Sequence, residues 1–326
     1  MPTVPVPAVL RCRFRAGMGI PSISPSLTRL RLRLSAATRS PQTLIAYRHA
    51  WRVFTAWCRS QSLPALPATP ETVGTFAAEM IARGHRPATA ALRVAGVVHF
   101  HRQNGFASPA DASVREVLLG AKRSAPAPRG RDAIAPDQLR RMVEGIAAAE
   151  ARAKRDRAIL LFGFATALRR SNLAALNIED IEFRGAGLVV RIGREKNHQV
   201  DELRWIGVFA APGRLCPVQA LREWLDIRGL SLGPLFCQVS PCLRPAARMH
   251  PRIFAGIVQR AAAAIGLDPR RYGAHSLRAG FVTAAAEAGA SPLVIMQTTG
   301  HRSMSMVQRY FRPVNAFNVN PLSGVL

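Results

Sequence analysis

Carboxylates are scarce in this sequence, and the first of them is Glu71. Lysine is rarer still: Lys122, Lys154 and Lys196 stand beside 42 arginines. A coding bias towards arginine accounts for the choice of Arg over Lys, but not for the shortage of acids. The balance is 45 basic against 19 acidic residues, a net charge of +26. Charge on that scale points to a polyanionic partner, with nucleic acid first and a ribosomal-type role as the plainer alternative. Binding through so many cations releases condensed counterions and is expected to be salt-sensitive.

Other absences narrow the class. The five cysteines (Cys12, Cys58, Cys216, Cys237, Cys242) are odd in number and widely spaced. Cys237 and Cys242 have no matching Cys or His pair at zinc-site spacing. They read as reduced small hydrophobes of a cytosolic protein. No apolar run reaches the roughly 18 residues of a membrane span. Residues 1–34 carry no acid and mix Pro, Ser and Arg with apolar residues. They loosely resemble a transit peptide, but read better as a disordered basic tail or an over-extended start. Tyrosine occurs three times, at Tyr47, Tyr272 and Tyr310.

What is present is mostly helical pattern. Over 43–61, Leu44, Tyr47, Trp51, Phe54, Trp57 and Cys58 recur at helical spacing, and Tyr47 belongs to that stripe. "ETVGTFAAEMIARG" and "PATAALRVAGVVHFHRQNG" predict two more helices, the second opened by Pro87 and closed by Gly105. Residues 35–122 thus form a basic helical domain. Residues 123–133, within the Pro-, Ala- and Arg-rich stretch 121–136, read as a linker, and 134–326 as a second domain. There a buried helix over 158–168 precedes a turn and a further helix. "GLVVRIGREKNHQVDELRWIGVFA" predicts a β-hairpin. Further helices follow, including "HSLRAGFVTAAAEAG" and a short one in "SPLVIMQTTG", with Ser291 as N-cap, Pro292 at N1 and Gly300 as stop. The fold class is mainly α with a small β-sheet.

Several residues in the second domain can carry chemistry. His275 and Arg278 in "HSLR" share a helix face, and an imidazole beside a guanidinium suits a phosphate. His301 follows a helix-stopping Gly, and Tyr310 comes nine residues later. Arg169 follows the buried helix and projects from a rigid support. Lys196 lies in the hairpin turn, where a lysine can release a proton that arginine holds. Each signal taken singly is weak; H-x-x-R is more often a surface pair, and a lone aromatic such as Tyr310 is more often core.

Taken in order, Arg169, Lys196, His275, Arg278, His301 and Tyr310 resemble the six active-site positions of the tyrosine recombinases, the phage-integrase-type family. "TALRRSNLAAL" resembles the family's first Arg box, "RIGREKN" its hairpin lysine, and "HSLRAGFVT", "GHRSMSM" and "QRYFR" its last three boxes. The 23 residues from Arg278 to His301 match the family's spacing as well. The resemblance covers nearly all of the second half and extends more weakly to 40–122. It departs at Asn172, where the family usually has Glu or Asp.

The resemblance implies an α-helical core-binding domain and a mixed α/β catalytic domain closing on opposite faces of double-stranded DNA. It also implies a homotetramer on paired recombination sites, with accessory proteins unknown. Tyr310 is implied as nucleophile through a 3′-phosphotyrosine, Arg169 and Arg278 as phosphate clamps, His275 as base, Lys196 as acid and His301 as a phosphate ligand. Neither metal nor ATP is expected: beyond Asp226 only Asp268 and Glu287 are acidic, against 11 arginines, and two-metal nucleases need converging carboxylates. A type IB topoisomerase-like relaxase and a catalytically impaired DNA-binding relative remain as alternatives, the second kept open by Asn172.

Overall fold

The computed structural model describes residues 39–126, 130–146, 150–193, 204–229, 232–239, 245–301 and 303–311, together with Ser26. The tail read at 1–34, Lys196 with the hairpin turn, and residues 312–326 therefore lie outside the described residues, Ser26 apart. The chain divides into two compact units, residues 1–127 and 128–326.

The first unit holds four helices: α1 (Pro41–Ser60), α2 (Pro70–Ala82), α3 (Pro87–Gln103) and α4 (Ala112–Ser124). Their starts follow from local chemistry. The hydroxyls of Ser40 and Thr69 accept from Thr43 N and Thr72 N, the Asp111 carboxylate accepts from Val114 N, and Pro41, Pro70 and Pro87 occupy first-turn positions where a missing N–H costs nothing. The core is aromatic: Phe54 and Trp57 pack on Phe76 at 5.1 and 5.3 Å between ring centroids. Gly96 brings α3 against α1, since a Cβ there would stand 2.6 Å from that of Ala50. Buried His101 ties the loop before α2 to α3, with Nε2 accepting from Ala68 N and Nδ1 facing Val97 O, both at 2.9 Å.

The second unit is built around α5 (Pro136–Glu144), α6 (Ala151–Thr166), α7 (Arg170–Ala175), α8 (Pro217–Arg228), α9 (Pro251–Ala264), α10 (Ala274–Glu287), α11 (Pro292–Thr299) and α12 (Met304–Phe311). An antiparallel sheet of β1 (Ile181–Arg184), β2 (Gly187–Ile192) and β3 (Arg204–Phe209) lies in the order β1-β2-β3. The hairpin read from the sequence is β2–β3, in which Val190 faces Ile206. A second two-stranded sheet pairs β4 (Cys237–Val239) with β5 (Pro245–Arg248). The main core gathers α6, α8, α9, the sheet and the N-terminal half of α10, with Phe162, Trp224 and Phe254 among its buried rings. The C-terminal half of α10 turns to a smaller cluster, Val282 and Ala286 meeting Ile295 of α11 and Val307 of α12. Mainly helical architecture with small antiparallel sheets is thus what the chain adopts.

Two boundaries differ from the sequence reading. The helix expected over 158–168 starts earlier and stops at Thr166, because Ala167 takes the left-handed conformation (φ 49°). The stretch 123–133 is narrower as a connection than its composition suggests. Helix α4 runs through Ser124, and Asp132 N already donates to Arg271 O at 2.9 Å while the Asp132 carboxylate pairs with Arg271 at 2.7 Å. Ile134 N follows with a bond to Ser276 O. This docking needs Gly280 on α10, where a Cβ would lie 2.1 Å from Ile134 O. Among the described residues no helix is long and apolar enough to cross a membrane. Gly280→Ala is expected to lower the stability of the second unit by ~1–3 kcal/mol, the usual cost of overpacking, in denaturant melts; an unchanged midpoint would contradict the packing described.

Candidate active site

The site forms where three segments distant in sequence meet: the turn after α6, the first turns of α10, and the end of α11. Each is shaped by an ordinary local rule. Ala167 reverses the chain after α6, and Arg169 follows as the N-cap residue of α7. Helix α11 begins with Ser291 Oγ accepting from Val294 N and with Pro292 in its first turn, and it ends at Gly300 in the left-handed region (φ 67°). The last carbonyls of such a helix lack intrahelical partners and carry partial negative charge.

Three arginines take those carbonyls. Arg204 of β3 donates from its NH1 to Thr298 O at 3.0 Å. Arg278 of α10, 1% exposed, donates to Thr299 O at 2.6 Å and to Ala167 O at 2.8 Å. Arg169 donates to Gly300 O at 3.2 Å. Gly300 is required by its backbone angle, and a Cβ there would also displace the guanidinium of Arg204, standing 2.5 Å from its NH1. His301 comes next in the chain and is buried; its Nδ1 lies 2.8 Å from the hydroxyl of Thr299.

The electrostatics follow from this crowding. Burial first, then the charges of Arg278 and Arg169, then His275 and Arg204, push the pKa of His301 down to about 4. The His275 ring is open to solvent on one side, yet desolvation by the protein around it, followed by Arg278 and Arg169, lowers its pKa as well. Both rings therefore favour the neutral form, in which one nitrogen can accept a proton or a hydrogen bond. The two guanidiniums form a receptor for a tetrahedral anion, with the two histidine rings beside them.

Of the six residues read from the sequence, the structure brings together Arg169, His275, Arg278 and His301. Tyr310 stands on α12, half-buried against the apolar cluster of Val282, Ala286, Ile295 and Val307. Among the described residues no hydrogen bond joins its hydroxyl to those four. Lys196 lies outside the described residues. The sequence reading missed Arg204 and Thr299. Arg204 had no signal beyond being one arginine of many, whereas Thr299 carried a weak one, a hydroxyl two residues before His301. Among the described residues no group of three or more His, Cys, Asp or Glu could hold a metal ion.

The phage integrase family model matches residues 132–316, which contain all of these side chains. The chain belongs to the phage integrase family, the tyrosine recombinases. An integrase/recombinase xerD homolog of Selenomonas ruminantium is 32% identical over 294 residues, covering 88% of this chain and 86% of that protein. The recombinase cre of Escherichia phage P1 is 24% identical, with 82% and 85% covered. In fold, this recombinase is similar to the Tn1549 transposon integrase solved with transposon right end DNA (TM-score 0.61, 16% identity, 87% of this chain and 92% of that one). It is also similar to a lambda integrase dimer bound to a core site (TM-score 0.59, 18% identity, 87% and 75%).

The depressed histidines link stability of this recombinase to pH. An unfolded histidine takes its proton near pH 6.5, whereas folded His301 takes it at about 4. Between those values the unfolded chain holds more protons, so the stabilisation is complete above pH 6.5 and is lost as pH falls towards 4. The thermal midpoint of the recombinase is expected to drop over that window, and to drop less in His301→Gln. Equal slopes in the two proteins would contradict the assignment.

Proposed function

We propose that this recombinase cleaves and rejoins double-stranded DNA through a 3′-phosphotyrosine at Tyr310. The observation that carries the reading is the convergence of Arg169, Arg278, His275 and His301 around the end of α11. Arg169 and Arg278 bind the non-bridging oxygens of the scissile phosphate and offset the charge that builds on them in the pentacoordinate transition state. His275, neutral and at the solvent edge, accepts the Tyr310 proton as the phenolic oxygen attacks phosphorus. The new Tyr310–phosphate bond replaces the bond from phosphorus to the 5′-oxygen, and Lys196 protonates that leaving oxygen. His301 hydrogen-bonds the phosphate. A 5′-hydroxyl from another strand reverses the step, so the bond energy is retained and neither ATP nor metal enters.

The half-buried seat of Tyr310 on α12 fits this scheme if α12 shifts to bring the hydroxyl to the phosphate when DNA is bound. The two units serve as core-binding domain (35–122) and catalytic domain (134–326), joined through 123–133. The partner is DNA with paired recombination sites, gripped by a homotetramer and encountered at the nucleoid. The integration of mobile DNA is the process such an activity serves.

A nicked suicide substrate built on a DNA site that the protein is first shown to bind tests the reading, in buffer containing EDTA. A covalent protein–DNA adduct is expected for the native chain and is expected to vanish for Tyr310→Phe. Arg169→Ala and Arg278→Ala are expected to reduce its rate by 10²-fold or more, about 3 kcal/mol of transition-state stabilisation. A bound substrate with no adduct would overturn the proposal, and loss of cleavage on chelation would overturn its metal-free form.

A further inference from the structure

Hydrogen-bond order around Thr299 decides which nitrogen of His301 carries its proton. Thr299 is fully buried, and its hydroxyl has a single proton to give. Two groups stand within reach: Ile295 O at 2.6 Å and His301 Nδ1 at 2.8 Å. A carbonyl oxygen only accepts. Were the hydroxyl proton turned to Nδ1, lone pairs of Oγ1 and Ile295 O would face each other at 2.6 Å with nothing between them. The hydroxyl proton therefore goes to Ile295 O, and His301 donates Nδ1–H to Oγ1. In the neutral ring Nε2 is then left as an acceptor.

We propose that Thr299 is a positioning residue that holds His301 in its Nδ1–H tautomer, so that His301 engages a phosphate only by taking up a proton at Nε2. The inference rests on the reading of His301 as a phosphate ligand. A bare Nε2 opposes a phosphate oxygen, because both are acceptors. One proton taken from solvent adds to Nε2 and turns the ring into a donor at both nitrogens.

Among the described residues, the charged and titratable groups facing the ring are Arg169 before α7, Arg204 on β3, and His275 and Arg278 on α10. Together with burial they keep it neutral while the site is empty. A phosphodiester brings the negative charge that offsets them, so anion binding and proton uptake become one event. The device discriminates: a neutral group entering the site brings no charge to raise the affinity of His301 for a proton.

The test uses the full chain labelled with 15N-histidine, with His301 identified by the signals lost in His301→Gln. In DNA-free protein at pH 7, native chain and Thr299→Ser are expected to show His301 protonated at Nδ1. Thr299→Val keeps the shape and removes the acceptor, so an Nδ1–H would be buried unpaired; its ring is expected to move to the Nε2–H form. Saturation with a generic DNA duplex at low salt is expected to convert His301 to the imidazolium in the native chain and in Thr299→Ser, and to leave it neutral in Thr299→Val. An Nε2–H ring in the free native protein, or the same tautomer in Thr299→Val, would overturn the role of Thr299. A neutral His301 in the native complex would overturn the proton uptake. Loss of the Tyr310 adduct with these tautomers intact would instead overturn the proposed function alone.

Discussion

Three guanidiniums share the end of one helix. Arg204, Arg278 and Arg169 hold the carbonyls of Thr298, Thr299 and Gly300 in turn. Three like charges in so small a space repel one another, more so where water is excluded. The carbonyls at the C-terminus of α11 supply the compensating partial charge. They do so without a full negative charge that would compete with an incoming phosphate. Each guanidinium carries five N–H donors in a fixed fork, so a carbonyl that holds one edge fixes the aim of the rest. The aim of the site arginines depends on this arrangement, and their charges add to burial in keeping His301 neutral.

The same device recurs away from the site and alters the meaning of the charge excess. Arg248 reaches the carbonyls of Ala174, Ala175 and Leu176 at 2.9, 2.9 and 3.0 Å and so closes the end of α7. Arg141 donates to Ile265 O just past α9. Arg228, buried, donates to Leu232 O and Pro234 O. Arg155 and Arg157 are buried as well, and pair with Asp156 and Glu223. Part of the net charge of +26 is therefore structural. Arginine suits this role better than lysine, since its planar fork spans neighbouring carbonyls and is less strongly hydrated. The remainder, on exposed faces, is what a polyanion meets first.

Helix starts were plainest where a local rule set them, as in the seven of the twelve described α-helices that begin with proline, whereas α6, which begins at Ala151 without one, was read as starting late. The N-cap, first-turn proline and glycine stop of α11 stand where the sequence places them. Short strands were harder to read. In β1 the pattern is one half-buried residue followed by three exposed ones, which gives no alternation to recognise. Strands β4 and β5 are three and four residues long, too short to show a period. The end of α6 was misplaced by two residues because nothing in "TALRR" marks Ala167 as left-handed; the tertiary bond from Arg278 to its carbonyl spans 111 positions.

Side chains whose chemistry is intrinsic, such as the paired His275 and Arg278, were legible as candidates. Arg204 was not, because its place depends on a sheet register that brings β3 to a helix end 94 residues away. Thr299 was not, because its part is defined by which partner takes its one proton. The most direct test of the account is a high-resolution structure of this recombinase on DNA. Arg169 and Arg278 are predicted to keep their bonds to Gly300 O and Thr299 O while their remaining N–H groups hold the scissile phosphate. Guanidiniums that abandon those carbonyls to reach the phosphate would contradict the claim that the helix end pre-forms the site.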